Sequence, residues 1–138
     1  MGDISKKVNI KVSPDAVYQY VSDPRNTPRY ISAIMKIDEA AFEMPAQGQV
    51  WPADANFMGS RRKISLRIEE LRPNSRVRYS INSDPPALLT MILSPDGPNS
   101  TEAELAVDVP GIPGLLLNGV MGGMLSSGMA RLKEILEA

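Results

Sequence analysis

The sequence contains no histidine and no cysteine. Without cysteine there is no disulfide, no thiolate nucleophile and no cysteine-built zinc site. Without histidine the usual general base, the usual catalytic triads and most zinc centres are excluded too. No phosphate-cradling loop, nucleophile elbow or carboxylate metal motif occurs. Neither a metal nor another cofactor is expected. Glu39 and Asp54 could serve as acids if buried, but no neighbouring group pairs with either. An excess of one charge is also missing: 15 Lys and Arg stand against 16 Asp and Glu, a net charge of −1. Bulk electrostatics therefore names no partner.

What is present is an ordinary globular composition, 43% hydrophobic and 22% charged. The 138 residues suit one domain, 1–138, around one core. The opening stretch alternates and has no apolar h-region, so no signal peptide is expected and the cytoplasm is the expected location. The uncharged run from Val109 to Ala130 is long enough to span a bilayer. Pro110, Pro113, Asn118, Ser126, Ser127 and six glycines dilute it, and we read it as part of a water-soluble fold.

Periodicity gives the elements. In "ISKKVNIKV", Ile4, Val8, Ile10 and Val12 fall on one side of a strand, opposite Ser5, Lys7, Asn9 and Lys11. Ser13 and Pro14 then open a helix. The pairs Asp23–Pro24 and Thr27–Pro28 restart it, giving two short helices with a break. Strands are expected at 35–42, 50–58, 61–71, 76–81, 87–93 and 101–109. Pro52 places the second of these at an edge or bulge. In the third, Ile64, Leu66 and Ile68 face inward. The run 87–93 is continuously apolar, which predicts cover on both faces. A last helix from about Leu115 almost to the end carries Leu117, Met121, Met124, Leu125, Gly128, Leu132, Ile135 and Leu136 on one face. Strand, two short helices, six strands and a long helix are satisfied by a largely antiparallel sheet wrapped on the C-terminal helix.

Three stretches in that order resemble the START-like superfamily, also called SRPBCC or polyketide cyclase/dehydrase and lipid transport. They are "VSPDAVYQYVSDPRNTPRYISAI", "MGSRRKISLRIEELRPNSRVRYSI" and "MARLKEILEA". In the first, Ser13, Val17, Tyr18, Asp23, Pro24 and Tyr30 carry the likeness. The resemblance implies an α+β helix-grip fold: a curved seven-stranded antiparallel sheet around a long C-terminal helix, with two short helices after the first strand and an apolar cavity inside. The first and last strands would be neighbours, which sets Lys7 and Lys11 against Glu102, Glu104 and Asp108. Such a cavity implies a small apolar ligand, of the lipid, quinone or polyketide kind, bound by a carrier or sensor. A polyketide cyclase or aromatase, and a protein- or ribosome-interaction module, are the alternatives.

The segment from Gly111 to Met129 holds six of the ten glycines. Gly119, Gly122, Gly123 and Gly128 inside the last helix cost about 4 kcal/mol of helix propensity together, which burial of its apolar face must outweigh. The glycine-rich half is then the soft half, and it reads as a lid with adaptable Met121 and Met124 beneath it, or as ordinary core. Leu117 and Leu125 share that lining. By strand parity Trp51, Arg62, Leu66, Tyr79 and Thr90 are the further candidates for the ligand site. Tyr79 and Thr90 offer hydroxyls, Trp51 an apolar wall with an N–H, and Arg62 a guanidinium for a ligand carboxylate or phosphate. Leu116, Val120, Gly123, Ser127 and Ala130 form a second uncharged face. It packs on the protein's own short helices or loops, or meets a homodimer partner or, transiently, a membrane. Arg61 to Arg78 holds seven basic and two acidic residues. No aromatic is interleaved on its outer face, so nucleic acid is not an expected partner and a solvated sheet face is the simpler reading.

Overall fold

The structure, a computed structural model, describes residues 3–57, 59–83 and 85–138. Met58, in an expected strand, and Asp84, in an expected turn, lie outside them. The chain opens with β1 (Asp3–Ile10), then α1 (Pro14–Val21) and a 3-10 helix (Pro24–Arg29). Six strands follow: β2 (Ile34–Ile37), β3 (Val50–Phe57), β4 (Ser60–Arg72), β5 (Arg76–Asn82), β6 (Ala87–Pro95) and β7 (Thr101–Asp108). The last element is α2 (Gly114–Glu137). The seven strands make one antiparallel sheet in the order β1-β7-β6-β5-β4-β3-β2. This is the architecture that the resemblance implies.

Local chemistry sets the short elements. The Ser13 hydroxyl accepts the Ala16 N–H at 3.3 Å and caps α1, with Pro14 in the first turn. Asp23 caps the next helix, accepting the Arg25 N–H at 3.0 Å and the Arg25 guanidinium at 2.9 Å. Pro28 inside that helix has no N–H to donate, and the segment winds as a 3-10 helix rather than an α-helix. β2 stops at Ile37, short of the expected Phe42, and the chain runs on without a strand to β3.

Alternation positions the sheet. Leu66 and Ile68 of β4, Val77 and Tyr79 of β5, and Ala103, Leu105 and Val107 of β7 are buried on the inner face. In β4 a bulge between Ile68 and Glu70 shifts the register. It lets Leu71 return inward opposite Val77, and it bends the sheet as an antiparallel bulge does. On β6, Leu89, Met91 and Leu93 are buried, while Leu88, Thr90 and Ile92 face out and are only half-buried. The expected cover on both faces of β6 is therefore corrected. Arg76 and Glu104 flank Ile92 in register, and long side chains take the place of a second layer. β1 pairs with β7, and Lys7 Nζ lies 3.6 Å from Glu102 Oε1.

α2 lies along β1. Gly114 sits against the Asp3 carbonyl, and at the far end Lys133 Nζ donates to the Asn9 carbonyl at 2.6 Å. Glu137 accepts the Lys11 N–H at 2.8 Å and pairs with Lys133, which holds its carboxyl below the usual carboxylate range. The buried face of α2 is Leu117, Gly122, Leu125, Gly128, Met129 and Leu132. Among the described residues no helix is long and apolar enough to cross a membrane.

The helix glycines separate into distinct kinds. A Cβ on Gly128 would collide with the Tyr30 carbonyl oxygen, whereas Cβ atoms on Gly119 and Gly123 would meet nothing. Gly128→Ala should cost about 1–3 kcal/mol through forced backbone displacement. Gly119→Ala and Gly123→Ala should each add roughly 0.5–1 kcal/mol. Urea unfolding of the three variants checks the contrast, and equal effects at all three would contradict this packing.

Candidate functional site

The concave side of the sheet is filled at one end and hollow at the other. Residue size explains the difference. Along β3 the inward positions shrink from Trp51 to Ala53 to Ala55. Along β6 they grow from Ala87 through Leu89 to Met91 and Leu93. At the filled end α1 and the 3-10 helix pack down among Trp51, Tyr79, Tyr18 and Tyr30. At the other end only α2 crosses the sheet, and the small inward side chains leave a cavity of about 190 Å³.

Every inner layer contributes to the cavity wall. Ile31, Ala33 and Ile34 come from the segment leading into β2, and Ala55, Arg62 and Ile64 from β3 and β4. Ile81, Ala87, Leu89, Val107 and Val109 line it from β5 to β7. Leu117, Met121, Met124 and Leu125 close it from α2. Among the described residues, Ser60, Arg62 and Ser83 are the polar ones on the wall and no acidic side chain lines it. Arg62 stands exposed at the rim, with its Nε donating to Ser60 Oγ at 3.4 Å.

Five of the nine residues expected at the site lie on this wall: Arg62, Leu117, Met121, Met124 and Leu125. The other four lie elsewhere. Trp51 is fully buried in the filled half. Its indole donates to Gln49 Oε1 at 3.2 Å, its ring centre is 5.3 Å from that of Phe42, and the Arg25 guanidinium lies 5.7 Å over its face. Leu66 pairs with Trp51 and Ile81 in register and is fully buried just beyond the cavity. The Tyr79 hydroxyl donates to the Val21 carbonyl at 2.8 Å, anchoring α1 to the sheet. Thr90 is on the outer face, where its hydroxyl accepts from Arg78 Nε at 3.2 Å. A continuous apolar run has no alternation, so parity could not orient Thr90. Sequence reasoning also missed Ala55 and Ala87, whose only signal is a small residue at an inward position.

Two other constellations resolve into structure. Glu39 is exposed, and Asp54 pairs with Lys63 at 3.5 Å. Within the basic hairpin, Arg67 pairs with Glu69 at 3.5 Å, and Glu70 takes Arg72 at 3.1 Å and Arg76 at 3.5 Å. Ion pairing of this kind is what a solvated sheet face provides. The second face of α2 does not pack on the protein itself. Leu116 is 59% exposed and Val120 42%, and neighbouring Leu115 is 89% exposed.

Burial pushes the Tyr79 phenol well above the ordinary tyrosine value, and the Tyr30 phenol likewise. Each stays neutral while folded and ionises near pH ~10 once unfolded. Their contribution to stability is thus intact below pH ~10 and is lost as the pH rises toward the folded value. At pH ~11 that loss is on the order of 1 kcal/mol per tyrosine. Tyr79→Phe should cost about 1–2 kcal/mol at neutral pH by stranding the Val21 carbonyl. It should also lose less stability than the wild type on going to pH ~11. Urea unfolding at both pH values checks this, and an undiminished alkaline loss would contradict it.

Comparison with known proteins agrees with the geometry. The family model described as polyketide cyclase / dehydrase and lipid transport matches residues 1–137. A START superfamily protein from Mycobacterium smegmatis superposes with a TM-score of 0.80 at 19% identity, over 99% of this chain and 98% of that one. The Zhui aromatase/cyclase from Streptomyces sp. R1128 gives 0.76 at 15% identity, over 98% and 93%. A protein from Chromobacterium violaceum gives 0.75 at 18% identity, over 100% and 99%. No curated protein matches the chain in sequence.

Proposed function

We propose that this chain, which belongs to the polyketide cyclase/dehydrase and lipid transport family, binds one small apolar molecule between its sheet and α2 and acts as a carrier or sensor for it. The observation that carries this reading is the cavity itself: an almost wholly apolar wall around about 190 Å³. Concave, mostly apolar sites with a few polar groups at the edge are where small apolar molecules bind. Met121 and Met124 on the wall suit guests of varied shape, because an unbranched thioether re-packs cheaply. Above them, Gly119 and Gly123 face open space and lower the helical stability of this half of α2. That is the half that must move for a guest to enter.

A cyclase would need tyrosine, arginine or carboxylate groups at the cavity for proton transfer, with Arg62 and Tyr79 as the candidates. Tyr79 is tied to Val21 in the filled half, which leaves that mechanism one cation at the rim. An interaction module would use the basic hairpin, whose charges largely satisfy one another, or the small-residue face of α2, which is exposed. Exposed Leu115, Leu116 and Val120 sit beside the cavity-lining turn of α2. They support a transient membrane contact or a homodimer as the setting in which the guest is exchanged.

Ala55→Phe places a ring into the hollow end without touching the packed one. Binding of the neutral dye Nile red, followed by fluorescence, should weaken at least ~10-fold in this variant while the unfolding midpoint is kept. Unchanged dye binding would sink the cavity reading.

A further inference from the structure

The first turns of α2 face two ways. Leu117, Met121 and Leu125 line the cavity. On the outer side Leu115, Leu116 and Val120 stand exposed, as do Gly119, Gly123 and Ser127. No residue between Asp108 and Arg131 is charged, so this outer face is uncharged over about 24 Å of helix, from Leu115 to Ala130. Exposed aliphatic side chains on a soluble domain are normally scattered singly. Here three fall within six residues of one helix.

The size of this face and its edge decide what covers it. A helix face about 10 Å wide and this long gives a footprint of a few hundred Å², against about 800 Å² on each side of a stable protein complex. At the edge, Lys6 of β1 shares the inward parity of Ile4 and Val8 and is half-buried like them. β1 meets α2 at Asp3 and again at Asn9, so Lys6 lies beside the middle of the uncharged face. A protein laid on that face would have to desolvate the ammonium. At a lipid surface the stem stays against apolar groups and the ammonium reaches out to the phosphates.

We propose that α2 docks this face on a lipid bilayer, with Leu115, Leu116 and Val120 inserted at the boundary of the acyl chains. This rests on the reading of the cavity as a ligand site and adds the partner with which the guest is exchanged. The turns that carry the inserted side chains also carry the cavity wall, so one helix separates the acyl phase from the hollow. Recognition is by apolar insertion rather than by head-group charge. Three aliphatic side chains give a reversible attachment comparable to a single acyl anchor, on the order of 10⁴ M⁻¹.

Flotation of the full chain with phosphatidylcholine vesicles tests it. At ~1 mM lipid most of the protein should float, and ~0.5 M salt should leave the floated fraction nearly unchanged. The triple variant Leu115→Gln, Leu116→Gln, Val120→Gln keeps helix propensity and leaves the cavity wall intact. It should lose flotation while Nile red binding without vesicles and the unfolding midpoint match the wild type. Leu115→Gln alone should weaken partitioning about 5-fold or more. Absence of flotation, or flotation that the triple variant keeps, overturns the docking proposal, and Nile red binding then leaves the cavity reading standing. Attachment confined to phosphatidylserine vesicles and lost in salt also overturns it, as does a dimer without flotation that the triple variant dissociates. Loss of Nile red binding with flotation intact removes the cavity reading alone.

Discussion

At Gly128 the backbone of α2 passes so close to the Tyr30 carbonyl that no side chain fits between them. Much of the architecture follows from that contact. It locks the middle of α2 onto the turn after the 3-10 helix, and the buried Met129 and Leu132 follow at once. Lys133 and Glu137 then tie the end of the helix to Asn9 and Lys11. With this half held, the first turns of α2 span the sheet from a fixed support. They carry four glycines, Gly114, Gly119, Gly122 and Gly123, and glycine is a weak helix former. One helix thus has an anchored half and a glycine-rich half of weaker helix propensity, and the second lies over the hollow.

The hollow is equally a product of size and position. Two short helices can fill only one end of a curled sheet. They fill the end where Trp51 and Tyr79 point inward, and the Tyr79 hydroxyl reaches Val21 to fasten α1 there. At the other end the strands present Ala55 and Ala87. Packing normally tolerates few voids wider than a water molecule, so the row of small residues beneath a glycine-rich helix is a coherent departure from close packing rather than scattered looseness.

The sheet was legible wherever strands alternate. Ile64, Leu66 and Ile68, or Leu105 and Val107, announce their inward face directly. So does the buried stripe of α2 from Leu117 to Leu132, because helical spacing survives four glycines. Three things were not legible. Thr90 sits in a run without alternation, and its direction is fixed only by pairing with β5 and β7. Leu66, Trp51 and Tyr79 face inward as their parity says, but parity cannot say which end of the sheet two distant helices will occupy. The surface role of Leu116 and Val120 depends on what packs beside α2, and no local pattern encodes that. The cavity wall on α2 was readable from one element, while the wall on the sheet needed the tertiary arrangement.

The proposed function rests on an apolar cavity whose polar residues, among those described, lie at the rim. The most direct test is to purify the protein from its own cells, record its native mass and extract it with organic solvent. The account predicts a stoichiometric apolar adduct that the extract identifies. A clean mass for the bare chain, with no rise in melting temperature from lipids, quinones or aromatic polyketides, would contradict it.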